Sequence, residues 1–321
     1  MTDHRICVAP MMDRTDRHER YFLRLISRRA LLYTEMVTAD AVIHGNPERV
    51  YKFDPAEHPV ALQLGGCEPA TLAEAAACGA EMGYDEINLN IGCPSERVRA
   101  ARFGACLMAD PTLVASCVRA MSDAVTIPVT VKTRTGIDDQ DSYEGLSDFV
   151  RLVSDSGSRT FIIHARKAIL SGISPKQNRT VPPLRYELVY RLKNDFPKLD
   201  IVLNGGVLNL EAAATHLAHV DGVMIGRAAY KDPYLLAGVD QRFYSDTISP
   251  SSRSQVVDSL KPYIAQWLER GIHLSSVTRH IMGLFHGQPR GRLWRRYLGE
   301  NACRPGANIG VIEAAMAELT T

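Results

Sequence analysis

Short apolar segments recur along the first three quarters of the chain at nearly even intervals. They are continuously apolar or β-branched rather than alternating, which is typical of parallel strands buried on both faces. Their spacing of roughly 30 residues is the length of one strand–helix unit. The eight segments begin at Ile6, Leu31, Val60, Glu86, Val129, Thr160, Ile201 and Gly222.

Signals for helix starts and stops lie between these segments. Asp110 followed by Pro111 places an N-cap before a proline in the first turn, and Asn209 precedes LEAAATHLA in the same way. Thr71 is predicted to open the helix LAEAAACGAEMG, which closes on Gly83. Eight such units suit the roughly 250 residues of a (β/α)8 barrel, so the sequence predicts an α/β TIM barrel.

An open doubly wound sheet is the structural alternative to the barrel. Such a sheet usually has fewer strands, and a GxGxxG turn follows its first strand. Here the first segment continues as ICVAPMMDR. We therefore favour the closed barrel.

The pattern changes after the eighth segment. Residues 246–254 read DTISPSSRS, a linker rich in serine. Only helical periodicities follow it, in QVVDSLKPYIAQWLERG, SSVTRHIMGLFHG, RGRLWRRYLG and IGVIEAAMAEL. The predicted organisation is a catalytic TIM-barrel domain over residues 1–245 and a small all-helical domain over residues 246–321.

Composition narrows the class of protein. The chain is 45% hydrophobic and 23% charged, which excludes a disordered, collagen-like or coiled-coil protein. No apolar run approaches the roughly 20 residues of a membrane-spanning helix, and charges near the start argue against a signal peptide. The seven cysteines form neither a CxxC pair nor a cluster at zinc spacing. We expect a cytoplasmic monomer that binds neither metal nor membrane.

The net charge of +1 conceals two basic stretches. Residues 279–304 hold six arginines and one acid, and residues 163–194 hold seven basic residues and one acid. The rest of the chain is therefore acidic. Two basic patches on an acidic body suit a polyanionic partner such as nucleic acid, although solvated helix faces produce the same pattern.

Candidate binding residues lie at the predicted C-terminal ends of the strands, where barrel enzymes act. Gly205 and Gly206 follow the seventh strand, and Gly226 and Arg227 follow the eighth. This is the usual phosphate site of such barrels, because glycines let backbone N–H groups approach an anion. A glycine pair is equally an ordinary tight turn.

Three further polar residues end three different strands. Gln63, Lys132 and His164 supply an amide, a cation and a neutral donor. A buried ring with several heteroatoms, such as a flavin, needs such groups to converge on it. Taken singly, each residue is also consistent with a structural role.

Cys93 follows the fourth strand, in a loop between Gly92 and Pro94. An ordinary thiol is mostly protonated at neutral pH, so it can act as a general acid. A nucleophile with His164 as its base and a purely structural loop cysteine are the alternatives.

Ten strings of the sequence together resemble the tRNA-dihydrouridine synthases. The most specific are NIGCPS, within GYDEINLNIGCPSERV, and SPKQNR, within SPKQNRTVPPLR. The others are APMMDRTDRHER, LYTEM, HPVALQLGG, GACLM, VTVKTRTGID, FIIHARKA, NGGV and DGVMIGRAAYKDP. The likeness runs from about residue 6 to about residue 298. Within this family, the sequence is similar to the A subfamily, which reduces uridines at positions 20 and 20a of the tRNA D-loop.

The resemblance implies an FMN-dependent barrel with a C-terminal helical domain and NADPH as reductant. It implies a flavin site lined by Pro10, Met11 and Met12, with Gln63, Lys132 and His164 binding the flavin, and Asn204, Gly205, Gly206, Gly226 and Arg227 at its phosphate end.

The resemblance also implies a mechanism. Flavin N5 delivers a hydride to uracil C6, and Cys93 donates a proton to C5. Asn90 is expected to touch the flipped uridine. The implied tRNA contacts fall inside the two basic stretches and are Lys176, Arg179, Arg292 and Arg295.

Two other functions are also consistent with the candidate residues. An FMN-dependent barrel reductase for a free pyrimidine or another small molecule would share the phosphate site and the loop cysteine, but would have no use for Arg292 and Arg295. A barrel that only binds tRNA would not need Cys93, Gln63 and Lys132 together. A yellow protein would exclude the binding-only function, and uridine reduction in tRNA rather than in free pyrimidines would exclude the small-molecule reductase.

Overall fold

A closed barrel of eight parallel strands forms the centre of the computed structural model, which describes residues 2–320 without the side chain of Thr320. Each strand pairs with the next along the chain, and the first pairs with the eighth. The predicted TIM barrel is confirmed, and the seventh strand begins at Asp200, one residue earlier than predicted. The strands are β1 (Ile6–Val8), β2 (Leu31–Thr38), β3 (Val60–Gly65), β4 (Glu86–Asn90), β5 (Val129–Arg134), β6 (Thr160–His164), β7 (Asp200–Asn204) and β8 (Gly222–Ile225).

Alternate residues along the strands belong to two separate hydrophobic cores. Those that face outward join the helices in one large apolar cluster. Those that face inward fill the barrel lumen, and this second cluster contains strand-end and strand residues only. Both faces of each strand are therefore buried, which explains the continuous apolar runs. The lumen cluster consists of Cys7, Ala9, Leu31, Tyr33, Ala61, Ile162, Val202 and Met224.

Helices surround the barrel. Within residues 2–320 the helices up to β8 are α1 (Arg17–Ile26), α2 (Ala39–His44), α3 (Pro47–Val50), α4 (Pro69–Met82), α5 (Glu96–Ala100), α6 (Pro111–Ala124), α7 (Tyr143–Ser154), α8 (Tyr186–Asp195) and α9 (Leu210–Leu217). Those after it are α10 (Arg227–Lys231), α11 (Val239–Tyr244), α12 (Arg253–Glu269), α13 (Leu274–Ile281), α14 (Gly291–Asn301) and α15 (Ile309–Thr320). Among the described residues, no helix has both the length and the apolar character needed to cross a bilayer.

Two of the three predicted helix starts are confirmed. Asp110 caps α6 and Asn209 caps α9, each by accepting a backbone N–H three residues further on. The prediction that Thr71 opens α4 is wrong, because the helix already begins at Pro69, whose fixed φ suits a first turn. The helix ends as predicted at Gly83, whose φ of 97° lies in the left-handed region.

The four helical periodicities of the C-terminal region correspond to α12–α15. Trp294 of α14 is fully buried, and its Nε1 donates a hydrogen bond of 3.1 Å to the Ile281 carbonyl of α13. The buried residues of these helices belong to the same apolar cluster as the outer face of the barrel. The division of the chain at residues 245 and 246 stays a prediction.

Buried charges join α13 to the barrel at the start of α1. Asp16 caps α1 by accepting the backbone N–H groups of His18 and Glu19. The same carboxylate lies 2.5 Å from Arg279 Nη2 and 3.0 Å from His280 Nε2. The other ring nitrogen of His280 lies 3.3 Å from Glu19 Oε2. One imidazole thus bridges two carboxyl groups of the barrel.

The electrostatics of this interface favour a charged His280. Burial opposes the charge, but the hydrogen bond to Asp16 and charge interactions with Asp16 and Glu19 outweigh it and raise the pKa of His280 to about 9. Burial raises the pKa of Glu19 to about 7, although His280 acts against this rise. The packing of α13 on the barrel therefore depends on the protonation of His280 and Glu19.

We expect His280→Gln to lower the free energy of unfolding by about 3 kcal/mol near pH 6, since it removes the buried cation that pairs with the Asp16 carboxylate. The pKa of His280 in the folded protein lies above the value of about 6.5 in an unfolded chain. Its stabilisation is therefore complete below pH about 6.5 and is lost as the pH rises through about 9. Urea unfolding at pH 6 and pH 10 measures this difference.

Arg279→Gln is the matched control, because Arg279 contacts the same Asp16 but its side chain is 46% exposed. Its cost should stay below about 1 kcal/mol. If His280→Gln lowered the free energy of unfolding equally at pH 6 and pH 10, the stabilisation would not come from a charged His280.

Candidate active site

A cavity of about 1280 Å³ opens at the C-terminal ends of the strands and continues past α3 to Trp267 of α12. We call it the rim cavity. It brings together predicted residues from β3, β4 and β5 and from the loops after β1, β6 and β8. The predicted site residues in its wall are Pro10, Met11, Met12, Gln63, Asn90, Cys93, Lys132, Arg179 and Arg227. Met12 is 55% exposed, so it lies at the edge of the cavity.

Lys132 is held at the end of β5 by an amide from β7. Its Nζ donates to Asn204 Oδ1 at 3.0 Å, and Asn204 Nδ2 donates to the Met224 carbonyl at 2.8 Å. Burial, and then the charge of Arg134, lower the pKa of Lys132 to about 7. The amine is therefore close to half-charged at neutral pH, and a negatively charged group in the cavity would favour its charged form.

His164 at the end of β6 is half-buried and neutral, with a buried Nδ1. Burial, followed by the positive charges of Arg134 and Lys132, holds the pKa of His164 well below its usual range. Its Nδ1 has no hydrogen-bond partner among the described residues. A buried ring nitrogen without a partner is unusual and is available to a ligand.

The glycines after β7 form a tight cradle next to this histidine. Gly205 and Gly206 have φ values of 112° and 74°. A Cβ on Gly205 would approach the His164 ring at 3.3 Å, and a Cβ on Gly206 would collide with the Tyr186 hydroxyl and lie 2.6 Å from Leu184. Tyr186 in turn donates to the Gly205 carbonyl at 2.9 Å.

The second predicted phosphate segment begins α10. Gly226 occupies the N-cap position of this helix, and Arg227 is its first residue. Arg227 Nη2 donates to the Arg179 carbonyl at 3.3 Å. This contact joins the loop after β8 to the loop after β6.

The loop of Cys93 is fixed on both sides. Asn90 Oδ1 accepts the backbone N–H groups of Gly92 at 3.1 Å and of Cys93 at 2.9 Å. The Cys93 carbonyl accepts from the Ala105 N–H at 2.9 Å. The thiol is free and half-buried, and its Sγ lies 3.5 Å from Ser95 Oγ.

Arg134 is a site residue that the sequence interpretation did not select. Its Nε donates to the Gly92 carbonyl at 2.8 Å, and its Nη1 donates to the carbonyls of Lys167 at 3.2 Å and Asn178 at 3.1 Å. It thus ties the Cys93 loop to the loop after β6. Its place at the end of β5 was the only signal in the sequence, since its partners are up to 44 residues away.

The four predicted tRNA contacts are divided between two surfaces. Lys176 precedes the 3₁₀ turn Gln177–Arg179 after β6 and is exposed, and Arg179 ends this turn in the wall of the rim cavity. Arg292 and Arg295 are exposed on α14, outside the lining of the rim cavity. Among residues 2–320, no group of three or more His, Cys, Asp and Glu side chains is arranged to hold a metal ion.

The fold and the site together define a (β/α)8-barrel protein with a large cavity, lined in part by arginine and lysine side chains, at the C-terminal ends of its strands. A family model described as dihydrouridine synthase matches residues 7–319. The chain belongs to the dihydrouridine synthase family.

Curated relatives extend over nearly the whole chain. The tRNA-dihydrouridine(20/20a) synthase of Vibrio vulnificus (strain CMCP6) is 57% identical over 98% of this chain and 97% of its own. The enzymes of the same name from Escherichia coli (strain K12) and Synechocystis are 57% and 55% identical. Each matches 97% of this chain, and 90% and 93% of its own length respectively.

A solved structure of 2-naphthoyl-CoA reductase with 2-naphthoyl-CoA shares the fold, with a TM-score of 0.54 and 10% identity. The match covers 74% of this chain and 50% of the reductase chain. At this identity the likeness concerns the barrel architecture alone.

The Gly206 cradle leads to a test of steric fit. We expect Gly206→Ala to lower the free energy of unfolding by about 3 kcal/mol, because it combines backbone strain with displacement of Tyr186 and Leu184. Gly172→Ala is the matched control, since its φ of 82° is similar but nothing lies within 4 Å of its Cβ. Strain alone should cost that variant about 1 kcal/mol. Urea unfolding compares the two, and equal losses would show that the Gly206 cradle has room for a methyl group.

Proposed function

We propose that the protein reduces uridine to 5,6-dihydrouridine in tRNA, at positions 20 and 20a of the D-loop, with bound FMN and with NADPH as reductant. Membership of the dihydrouridine synthase family supports an oxidoreductase that acts in tRNA processing. The names of the relatives, which match almost end to end, support the two positions. The observation that carries the proposal is the half-buried Cys93 thiol, fixed in the wall of the same cavity as Gln63 and Lys132.

The residues present fit a flavin mononucleotide. The unpartnered Nδ1 of His164 is a buried polar atom that a hydrogen-bonding ligand would satisfy. Lys132 offers an amine that gains charge beside a negative group. Gln63, Lys132 and His164 would hold the flavin ring, between the strand ends and Pro10, Met11 and Met12. Asn204, Gly205, Gly206, Gly226 and Arg227 would hold its phosphate end.

When bound, FMN would supply the hydride that uracil C6 receives, with NADPH as the source of the electrons. Cys93 supplies the proton to C5, because a protonated thiol in a fixed loop can act as a general acid. Asn90 and Arg134 both hold the Gly92–Cys93 peptide that precedes this thiol. Asn90 Nδ2 uses one of its two hydrogens on Gln63, which leaves the other for the uracil ring.

The tRNA would contact both basic stretches. A uridine must leave the base stack before its ring can enter a cavity. Arg179 and Lys176 would hold the backbone beside the extruded nucleotide, and Arg292 and Arg295 on α14 would bind the tRNA body. In this proposal residues 1–245 carry the chemistry and residues 246–321 orient the tRNA. A monomeric, cytoplasmic enzyme stays a prediction.

We expect Cys93→Ala to bind FMN and accept electrons from NADPH as the wild type does, since neither step uses the thiol. Reduction of uridine in unmodified tRNA should fall by roughly 100- to 10,000-fold, the range that positioned acids contribute. Stopped-flow measurement of flavin absorbance separates the two half-reactions.

Cys303→Ala is the control for this substitution, because that thiol is exposed and lies outside the rim cavity. A wild-type rate in Cys93→Ala would make Cys93 structural. A wild-type protein that reduces free uridine as fast as tRNA would instead favour the small-molecule reductase.

A further prediction concerns the basic helix α14. We expect the double variant Arg292→Ala/Arg295→Ala to bind tRNA more weakly, with a salt dependence shallower by about one counterion for each lost phosphate contact. Flavin reduction by NADPH should not change. Titrations of tRNA at several salt concentrations measure the effect.

Arg119→Ala serves as the control, since Arg119 is exposed on α6 outside both basic stretches. It should leave the affinity and the salt dependence unchanged. If the double variant behaves like this control, α14 is a solvated helix face without a role in binding tRNA.

A further inference from the structure

A line of hydrogen-bonded side chains runs through the barrel lumen from the start of β4 to the loop of Cys93. Glu86, Asn88 and Asn90 are alternate residues of β4, so their side chains point to the same face of the strand. Gln63 of β3 and Thr130 of β5 lie beside them in register. We call this line the polar column, and its members in order are Cys93, Asn90, Gln63, Asn88, Thr130 and Glu86.

The upper links of the polar column are short. The Cys93 N–H donates to Asn90 Oδ1 at 2.9 Å, and Asn90 Nδ2 donates to Gln63 Oε1 at 2.8 Å. Gln63 Nε2 then donates to Asn88 Oδ1 at 2.7 Å. All three amide side chains are buried, with at most 8% of each residue exposed.

The lower links end on a carboxylate. Asn88 Nδ2 donates to Thr130 Oγ1 at 2.8 Å, and the Thr130 hydroxyl donates to Glu86 Oε1 at 2.6 Å. Glu86 also accepts from the Tyr33 hydroxyl at 2.7 Å and contacts His4 Nε2 at 2.6 Å. The carboxylate is fully buried and sits among donors only.

Both ends of the polar column fix the direction of every link. A backbone N–H can only donate, and a carboxylate can only accept. Each group between them therefore donates toward Glu86 and accepts from the side of Cys93. If one amide turned over, two donors would face each other at one link and two acceptors at the next, which is costly in a buried site.

We propose that Asn88, Thr130 and Glu86 are positioning residues, which fix the amide orientation of Gln63 and Asn90 and thereby the backbone of Cys93. This proposal rests on the proposed function, in which Cys93 is the proton donor. Asn88, Thr130 and Glu86 are outside the lining of the rim cavity. They act through Gln63 and Asn90, which line it.

Thr130→Val breaks the polar column between Asn88 and Glu86, where the Thr130 hydroxyl is the link. Valine has nearly the shape of threonine, so packing is kept while one donor and one acceptor are lost. Asn88 Nδ2 then has no acceptor below it, and only the N–H groups at the upper end still oppose a turn of the three amides. The N–H groups of Gly92 and Cys93 lose the fixed orientation of their acceptor.

Tyr33→Phe is the matched control. It removes a hydrogen bond to the same oxygen, Glu86 Oε1, in the same buried lumen, but Tyr33 is not a link of the polar column. Thr130→Ser is the rescue variant, because it restores the hydroxyl. Each variant is compared as purified protein loaded with FMN.

Two measurements test the proposal. Hydrogen–deuterium exchange, followed by mass spectrometry of the peptide covering residues 90–96, reports on the N–H groups of Gly92 and Cys93. Single-turnover reduction of unmodified tRNA reports on proton donation. Thr130→Val should speed this exchange and slow uridine reduction, each by about tenfold, the effect of one or two hydrogen bonds. Exchange in peptides from β6–β8 and flavin reduction by NADPH should stay within about twofold of wild type.

Tyr33→Phe and Thr130→Ser should behave as wild type in both measurements. The proposal is overturned if Thr130→Val leaves exchange and uridine reduction unchanged, or if Tyr33→Phe slows uridine reduction equally. Faster exchange throughout the barrel would reduce Thr130 to a structural role. If Thr130→Val does not fold, Asn88→Ser breaks the next link and is judged by the same criteria. A wild type that reduces no uridine would refute the proposed function, while the exchange comparison would still decide the role of the polar column.

Discussion

Polar groups enclosed in the lumen of a closed barrel must find hydrogen-bond partners among one another, because water does not reach them. The buried carboxylate of Glu86 meets this constraint with donors from His4, Tyr33 and Thr130. The amides above it follow in a fixed direction until they reach the loop of Cys93. The same constraint acts at the rim, where Lys132 is bound by Asn204. The groups that line the cavity are thus held in place before any ligand binds, which is what preorganised catalysis requires.

The C-terminal helices are fixed to the barrel through the element that also borders the cavity. The chain passes from β1 through Pro10, Met11 and Met12 directly to Asp16 and α1. Asp16 caps α1 and binds α13 with the same carboxylate. The basic helix α14 packs next to α13, with Trp294 buried between them. A surface suited to a polyanion therefore has a defined orientation relative to the catalytic end of the barrel, although the two are far apart in sequence.

The sequence predicted the fold well, and it placed the candidate residues at the strand ends, because both inferences depend on local patterns. Continuous apolar runs marked all eight strands, and a residue at the end of a strand in a barrel must lie at one rim. Contacts between distant loops could not be predicted. Arg134 reaches Lys167 and Asn178, and only the folded loops bring those carbonyls within its range. Asn90 was expected to contact the substrate, but no periodicity shows that its amide also anchors the backbone of Cys93.

We propose that this barrel transfers a hydride, by way of FMN, to a uridine of tRNA. The most direct test is the stoichiometry of the purified protein with FMN, NADPH and an unmodified tRNA transcript, with dihydrouridine mapped by position. The account predicts one dihydrouridine for each NADPH oxidised, confined to positions 20 and 20a, and no reaction without flavin. Oxidation of NADPH without loss of uridine, or a full reaction with flavin removed, would contradict it.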